Sequence, residues 1–144
     1  MSRRSGDEGL KILILSTYEG MDANVVRDYL LSFRLHSRHD YYYLLDCRRL
    51  DGRIDLHPFD VIIIFWDGYL PGPELADAVR ERIARAPAFK IVFLQDEYRD
   101  VRAVNHAMAE LGVQLAFTLV GEADHRVFFP SEAIPSLEGL YTVL

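Results

Sequence analysis

Apolar residues fall along this chain in short, nearly unbroken runs, and the segments between them carry apolar positions at three- and four-residue spacing. Short runs rich in β-branched and aromatic residues predict strands, whereas the wider spacing predicts helices that lay one face on a sheet. Strands are expected at 10–15, 41–45, 61–66, 89–94 and 113–119, with 140–144 either a sixth strand or the start of a connection. The run at 61–66, Val-Ile-Ile-Ile-Phe-Trp, is apolar throughout and so implies cover on both faces, as in a parallel sheet flanked by helices.

The first helix is expected over 23–35, with Val26, Tyr29, Leu30 and Phe33 on its inner face and Asp22 as its cap. A second carries Leu75, Val79 and Ile83, supported by Ala78 and Ala86, places Arg80, Glu81 and Arg82 largely on its outside, and ends before Pro87. A third, over 101–111, presents Val101, Val104, Met108 and Leu111, with Gly112 as its terminator, and a short helix is expected at 122–128. Residues 48–55 are too short and interrupted for a full helix, which predicts an irregular crossover or a single turn. The resulting order, β-α-β-β-α-β-α-β, predicts an α/β fold: one Rossmann-like three-layer domain with a mainly parallel sheet of five or six strands. Residues 1–9 form a polar leader and 10–144 the domain.

Composition narrows the class. The chain has 144 residues, half of them apolar and 26% charged, enough for one globular core without metal or disulfide support. A formal charge of -6 gives no general attraction for nucleic acid or anionic membrane. Cys47 is the only cysteine, which excludes an intrachain disulfide and a cysteine-rich metal site. The leader lacks the apolar stretch of a secretory signal, and no run approaches the roughly 20 apolar residues of a membrane-spanning helix, so a cytoplasmic protein is expected.

Parallel strands point their carboxyl ends to one edge, so the loops that follow them converge there. That edge is expected to hold residues 16–19, Asp46, Asp67, the polar knot Gln95-Asp96-Glu97-Tyr98-Arg99, and Thr118 or Glu122. Asp96 and Glu97 are candidates for acid/base work, but neighbours in an extended segment face opposite ways, which favours structural roles: Asp96 accepting loop amides, Glu97 pairing with an arginine. Arg99 suits a phosphate or carboxylate because its guanidinium binds two oxygens at once, and Tyr98 can stack beneath a sugar or base. The segment from Ser16 to Asn24 joins a strand to a helix amino terminus, a place that can hold phosphate, although it lacks a glycine-rich phosphate loop. The five histidines show no zinc-binding spacing, and no metal site is expected.

Four segments together resemble the amino-terminal half of a bacterial two-domain glycosyltransferase of the type built from two Rossmann-like lobes. They are Lys11-Ile-Leu-Ile-Leu-Ser-Thr-Tyr-Glu-Gly20 with Ala23-Asn24, Phe59-Asp-Val-Ile-Ile-Ile64, Phe93-Leu-Gln-Asp-Glu-Tyr-Arg99, and Leu111-Gly-Val-Gln-Leu-Ala-Phe-Thr118, with a weaker tail at 127–132. The resemblance implies a lobe that binds the sugar acceptor, with Thr17, Tyr18, Glu19, Gly20, Asp67, Gln95, Tyr98 and Arg99 as ligand-binding candidates and Asp96 and Glu97 as catalytic ones. It implies no tightly bound cofactor; a nucleotide-sugar donor would sit mainly in a second lobe.

Two departures stand out: Met21 and Asp22 replace the histidines usual after the glycine, and Phe65-Trp-Asp-Gly-Tyr69 replaces a His-Tyr-Ser type of sequence. No second lobe follows Leu144, so the expected role is acceptor binding, incomplete as a catalyst without a second lobe or another protein partner. The alternative is a non-enzymatic interaction or assembly domain, self-associating or not, with Trp66, Tyr69, Leu70, Phe128 and Phe129 as its apolar patch. Flavodoxin-like electron carriers and phosphoacceptor domains share the element order but fit less well: the phosphate loop is incomplete, and no lysine follows Lys90.

Overall fold

A computed structural model describes residues 9–17, 24–65 and 70–143. Its six strands form one sheet in which every pairing is parallel. They are β1 (Lys11–Leu15), β2 (Asp40–Leu44), β3 (Val61–Ile64), β4 (Phe89–Phe93), β5 (Leu115–Thr118) and β6 (Gly139–Thr142), in the spatial order β2-β1-β3-β4-β5-β6. The α/β class and the Rossmann-like three-layer architecture expected from the sequence are therefore observed, with the segment near the C-terminus as a true sixth strand. Helices are α1 (Asn24–His36), α2 (Asp77–Arg85), α3 (Val101–Leu111) and the single turn α4 (His125–Phe128). No described helix is long and apolar enough to cross a membrane.

Local chemistry sets both ends of α3. Asp100 caps α3 by accepting from the Ala103 amide at 3.1 Å, and Gly112 closes it at φ 69°. The Gly112 amide then donates to Ala109 and the Val113 amide to Met108, the pair of bonds that satisfies orphan carbonyls at a left-handed helix end. The expected cap of α1, Asp22, lies outside the described residues.

One side of the sheet carries the larger core. Leu13, Leu15, Ile62, Ile64, Val92 and Ala116 point to it and meet Val79 and Ile83 of α2 and Val104, Met108 and Leu111 of α3. On the other side Ile12, Ile14, Val61 and Ile63 meet α1 through Leu30, Val26 and Phe33. Burying an aliphatic side chain of this size contributes roughly 1.5–3 kcal/mol, and the β1–β3 pair buries such side chains on both faces.

The connection from β2 to β3 contains only one 3-10 turn, Cys47–Arg49, as its composition implied. What holds the rest of it is a difference from the sequence reading of α2. Arg82, expected on the outside, donates to the carbonyls of Asp51 and Ile54, and Arg80 donates to those of Leu70 and, at 2.8 Å, Leu75. Guanidinium forks thus replace the backbone ladder that these irregular segments cannot form for themselves.

Lys90 is the other inward cation. It is 6% exposed, and its Nζ donates to the carbonyls of Ala86 at 2.8 Å and Ala88 at 3.2 Å, at the carboxyl end of α2. Burial pushes its pKa below the usual lysine value. A neutral amine keeps two N–H donors for these two carbonyls, whereas the charged form suffers the desolvation. The folded state therefore binds the proton less tightly than the unfolded chain, and Lys90 adds stability as pH rises from its lowered folded value towards the unfolded 10.5. Urea unfolding of the wild type and of Lys90→Met at neutral and at alkaline pH is expected to show the wild type gaining on the variant as pH rises. An unchanged difference would show that the lysine is not desolvated in the folded state.

Candidate functional site

Strand order reverses between β1 and β3, and the loops that follow the strands meet at the sheet's carboxyl edge, where open α/β sheets place their ligands. Ser16 at the end of β1 is fully buried; its amide donates to Leu44 at 3.1 Å and its carbonyl accepts from Cys47 at 2.9 Å, which stitches β1 to the connection after β2. Thr17 is partly buried beside it. Tyr18, Glu19, Gly20 and Asp67, expected at the same edge, lie outside the described residues, as do Met21 and Asp22.

Asp46 is committed to structure. Its Oδ1 accepts from the Arg48 amide at 3.2 Å and from Arg48 Nε at 2.7 Å, and its Oδ2 lies 3.1 Å from Arg49 Nε. It caps the 3-10 turn, the usual work of an aspartate at such a start.

The knot after β4 is sorted by one backbone torsion. Asp96 adopts the left-handed conformation, φ 58° and ψ 26°, and is the only non-glycine residue with positive φ among the described residues. Aspartate tolerates this region better than most side chains. The bend starts a 3-10 turn, Glu97–Arg99, closed by the Arg99 amide donating to the Asp96 carbonyl at 3.0 Å. Consecutive side chains then diverge: Glu97 turns inward and is 2% exposed, whereas Tyr98 is 70% exposed and Gln95 and Arg99 face solvent.

Inside, one Glu97 oxygen accepts from the Thr118 hydroxyl and from the Leu119 amide, the latter at 3.0 Å. Thr118 is itself fully buried at the end of β5, and its oxygen also accepts from the Val120 amide at 3.0 Å. This side-chain clamp joins the loops after β4 and β5. The sequence reading expected an arginine partner for Glu97; the structure supplies a threonine and a main-chain amide instead. Asp96 differs as well, since it is the carbonyl rather than the carboxylate that accepts the loop amide. The two acids do not face one site. Their separation follows from the bend at Asp96, which no side-chain pattern announces.

A second polar cluster at this edge escaped sequence reasoning. His125 Nε2 lies 3.1 Å from the Val120 carbonyl and 3.0 Å from Thr142 Oγ1, and Thr142 donates to the same carbonyl at 2.7 Å. With the threonine proton so placed, both neighbours accept, which assigns the ring proton to Nε2. The cluster ties β6 to the loop after β5. Beside it a groove of about 470 Å³ is lined by His125, Arg126, Phe129, Pro130, Ser131 and Glu132.

The apolar patch expected for an interaction domain is not where it was sought. Leu70 and Phe129 are buried in the larger core, and Phe128 packs against it; Trp66 and Tyr69 lie outside the described residues. No family model, curated protein or solved structure matches this chain.

Thr118→Val is expected to remove one of the two donors to the buried carboxylate and to cost about 1–3 kcal/mol of stability, measured by chemical denaturation. Arg99→Ala is expected to change stability by less than about 0.5 kcal/mol, as for a solvent-exposed side chain. Equal losses would mean that Glu97 is not clamped as described.

Proposed function

We propose that this chain is an acceptor-binding lobe of a nucleotide-sugar-dependent transferase and that its ligand contacts lie at the carboxyl edge of β4. The observation that carries the reading is the division of labour at Asp96: Glu97 is spent on the clamp, and Gln95, Tyr98 and Arg99 are left together on the solvent side of a rigid turn. An amide to sort hydroxyls, a phenol ring to lie under a sugar and a guanidinium to take a phosphate or carboxylate are complementary to a sugar bearing an anionic group. The resemblance of the 11–24, 59–64, 93–99 and 111–118 segments to glycosyltransferase acceptor lobes supports the same reading.

Glu97 has no part in proton transfer on this view, because its carboxylate is buried and already engaged. Asp96, half-buried at the bend, is the acid left to orient an acceptor hydroxyl. The donor, with its leaving diphosphate, requires groups on a facing lobe or partner protein, since in-line transfer needs both reactants held at once.

Titration of the labelled protein with inorganic phosphate, a hexose 1-phosphate and a nucleotide-hexose is expected to shift the amides of 95–99, most strongly with the hexose phosphate. Arg99→Ala is expected to weaken that binding about tenfold, the size of one charge-assisted hydrogen-bond pair. If none of the three probes moves these amides at millimolar concentration, the acceptor-lobe reading fails.

An interaction domain is the second reading. It is favoured by a separate observation, an apolar sheet face that the described residues cover only in part.

A further inference from the structure

Burial is not uniform across the sheet. In β1 and β3 consecutive residues are buried on both faces, apart from Lys11 at the start of β1, but in β4 and β5 buried residues alternate with partly exposed ones. Alternation is the mark of a sheet covered on one side only, and it is unusual in an all-parallel sheet. The side that the described residues cover only in part is the one on which α1 lies. There Phe89, Ile91 and Phe93 of β4, Leu115 and Phe117 of β5, and Tyr141 of β6 share a face by register. Their rings form a row: Phe33 of α1 meets Phe93 at 5.6 Å, Phe93 stacks on Phe117 at 4.6 Å, and Phe117 stacks on Tyr141 at 5.9 Å. Gly139 lets the row lie flat, because a Cβ there would sit 2.7 Å from Leu115 Cδ1 and 3.2 Å from the Tyr141 ring.

The bare area has the width of one helix. Three strands at about 4.8 Å spacing span roughly the 10 Å diameter of a helix, and α1 forms a wall along one side. The described residues also include an exposed apolar helical surface. Leu31 and Leu35 are 46% and 75% exposed and, at about 100° per residue, lie on the side of α1 away from Val26, Leu30 and Phe33.

We infer that two copies of this chain pair face to face about a two-fold axis parallel to the strands, each α1 filling the bare β4–β6 face of the other. The symmetry fits both features at once. Among the described residues each copy has one helix over one half of this face and none over the other, so rotation about an axis along the boundary sets the two α1 helices side by side in one layer between two sheets. The inner side of each helix then packs on its own sheet, and its outer side, with Leu31 and Leu35, packs on the partner sheet. Register follows, because Tyr29 and Phe33 contact Phe65, which lies at the level of Phe93, Phe117 and Tyr141. Leu31, in the same turn, therefore meets the Phe117–Tyr141 end of the partner's row.

The named side chains expose at most several hundred Å² per copy, less than the roughly 800 Å² that one partner contributes to a standard interface, so the pairing is a weak one. Two terms oppose it. Each copy carries a formal charge of -6, and Asp28, 3.7 Å from Arg27, lies on the outer side of α1 near the leucines. Association in the micromolar range that strengthens with added salt is expected, because salt screens the net repulsion without weakening apolar burial.

This pairing does not depend on the sugar-transfer reading, and sedimentation over a dilution series tests it alone. The wild type is expected to dimerise; Leu31→Glu and Tyr141→Lys are each expected to weaken the dimer at least about tenfold. Both positions are exposed, so unchanged circular dichroism melts will show that folding is intact; Val127→Lys, on the opposite layer, is the control that leaves association unchanged. An equimolar mixture of the two variants is expected to recover association, since the mixed dimer holds one Glu–Lys contact and one native Leu31–Tyr141 contact. A wild type that stays monomeric at about 100 μM, a dimer indifferent to both substitutions, or a mixture no stronger than its components would each overturn the inference.

Discussion

The structure depends on the parallel pairing of β1 with β3. Ile12–Leu15 against Val61–Ile64 forms a ladder buried on both faces, and a ladder of that kind survives only when helices cover each side. That requirement sends α1 to one face and α2 and α3 to the other. The remaining pairings are parallel as well, so that the carboxyl ends of β1, β3, β4 and β5 share an edge. Polar side chains at this edge are positioned by that alignment: Gln95, Tyr98 and Arg99 stand at the end of the strand next to β3.

Around this apolar centre, charged side chains act as fasteners. Arg80 and Arg82 hold loop carbonyls, Lys90 closes the end of α2, and Glu97 clamps the loop after β5 to the loop after β4. Each occurs where the backbone leaves helix or strand and its polar groups would otherwise be buried without partners. The short sequence between β2 and β3 is tolerated for this reason: the helix it lacks is replaced by two carbonyl contacts from Arg82. Such fasteners are consequential for function as well. A carboxylate held by two donors fixes the turn beside it, and a fixed turn presents its outward side chains without further ordering cost.

Element boundaries were legible in the sequence because they are local. Apolar runs of strand length, helical stripes such as Val104, Met108 and Leu111, and Gly112 as a stop record which face each residue turns to the core, and that periodicity survives without knowledge of the fold. Even the irregular crossover at 48–55 could be read, since no stripe runs through it. The polar knot was legible as a place but not as a set of roles.

Sequence by itself determined the α/β class, the succession of strands and helices, and the edge at which polar residues gather. Only tertiary structure decided that Glu97 belongs inside with Thr118 while Tyr98 and Arg99 belong outside, since this rests on the left-handed turn at Asp96 and on a partner 21 residues away. It likewise decided that Leu70 and Phe129 are core, and that one face of β4 and β5 is only partly buried. The physical reason is common to both. A side chain's periodicity tells which way it points along its own element, but what it meets there is set by strand register and by which helices the rest of the chain lays over the sheet.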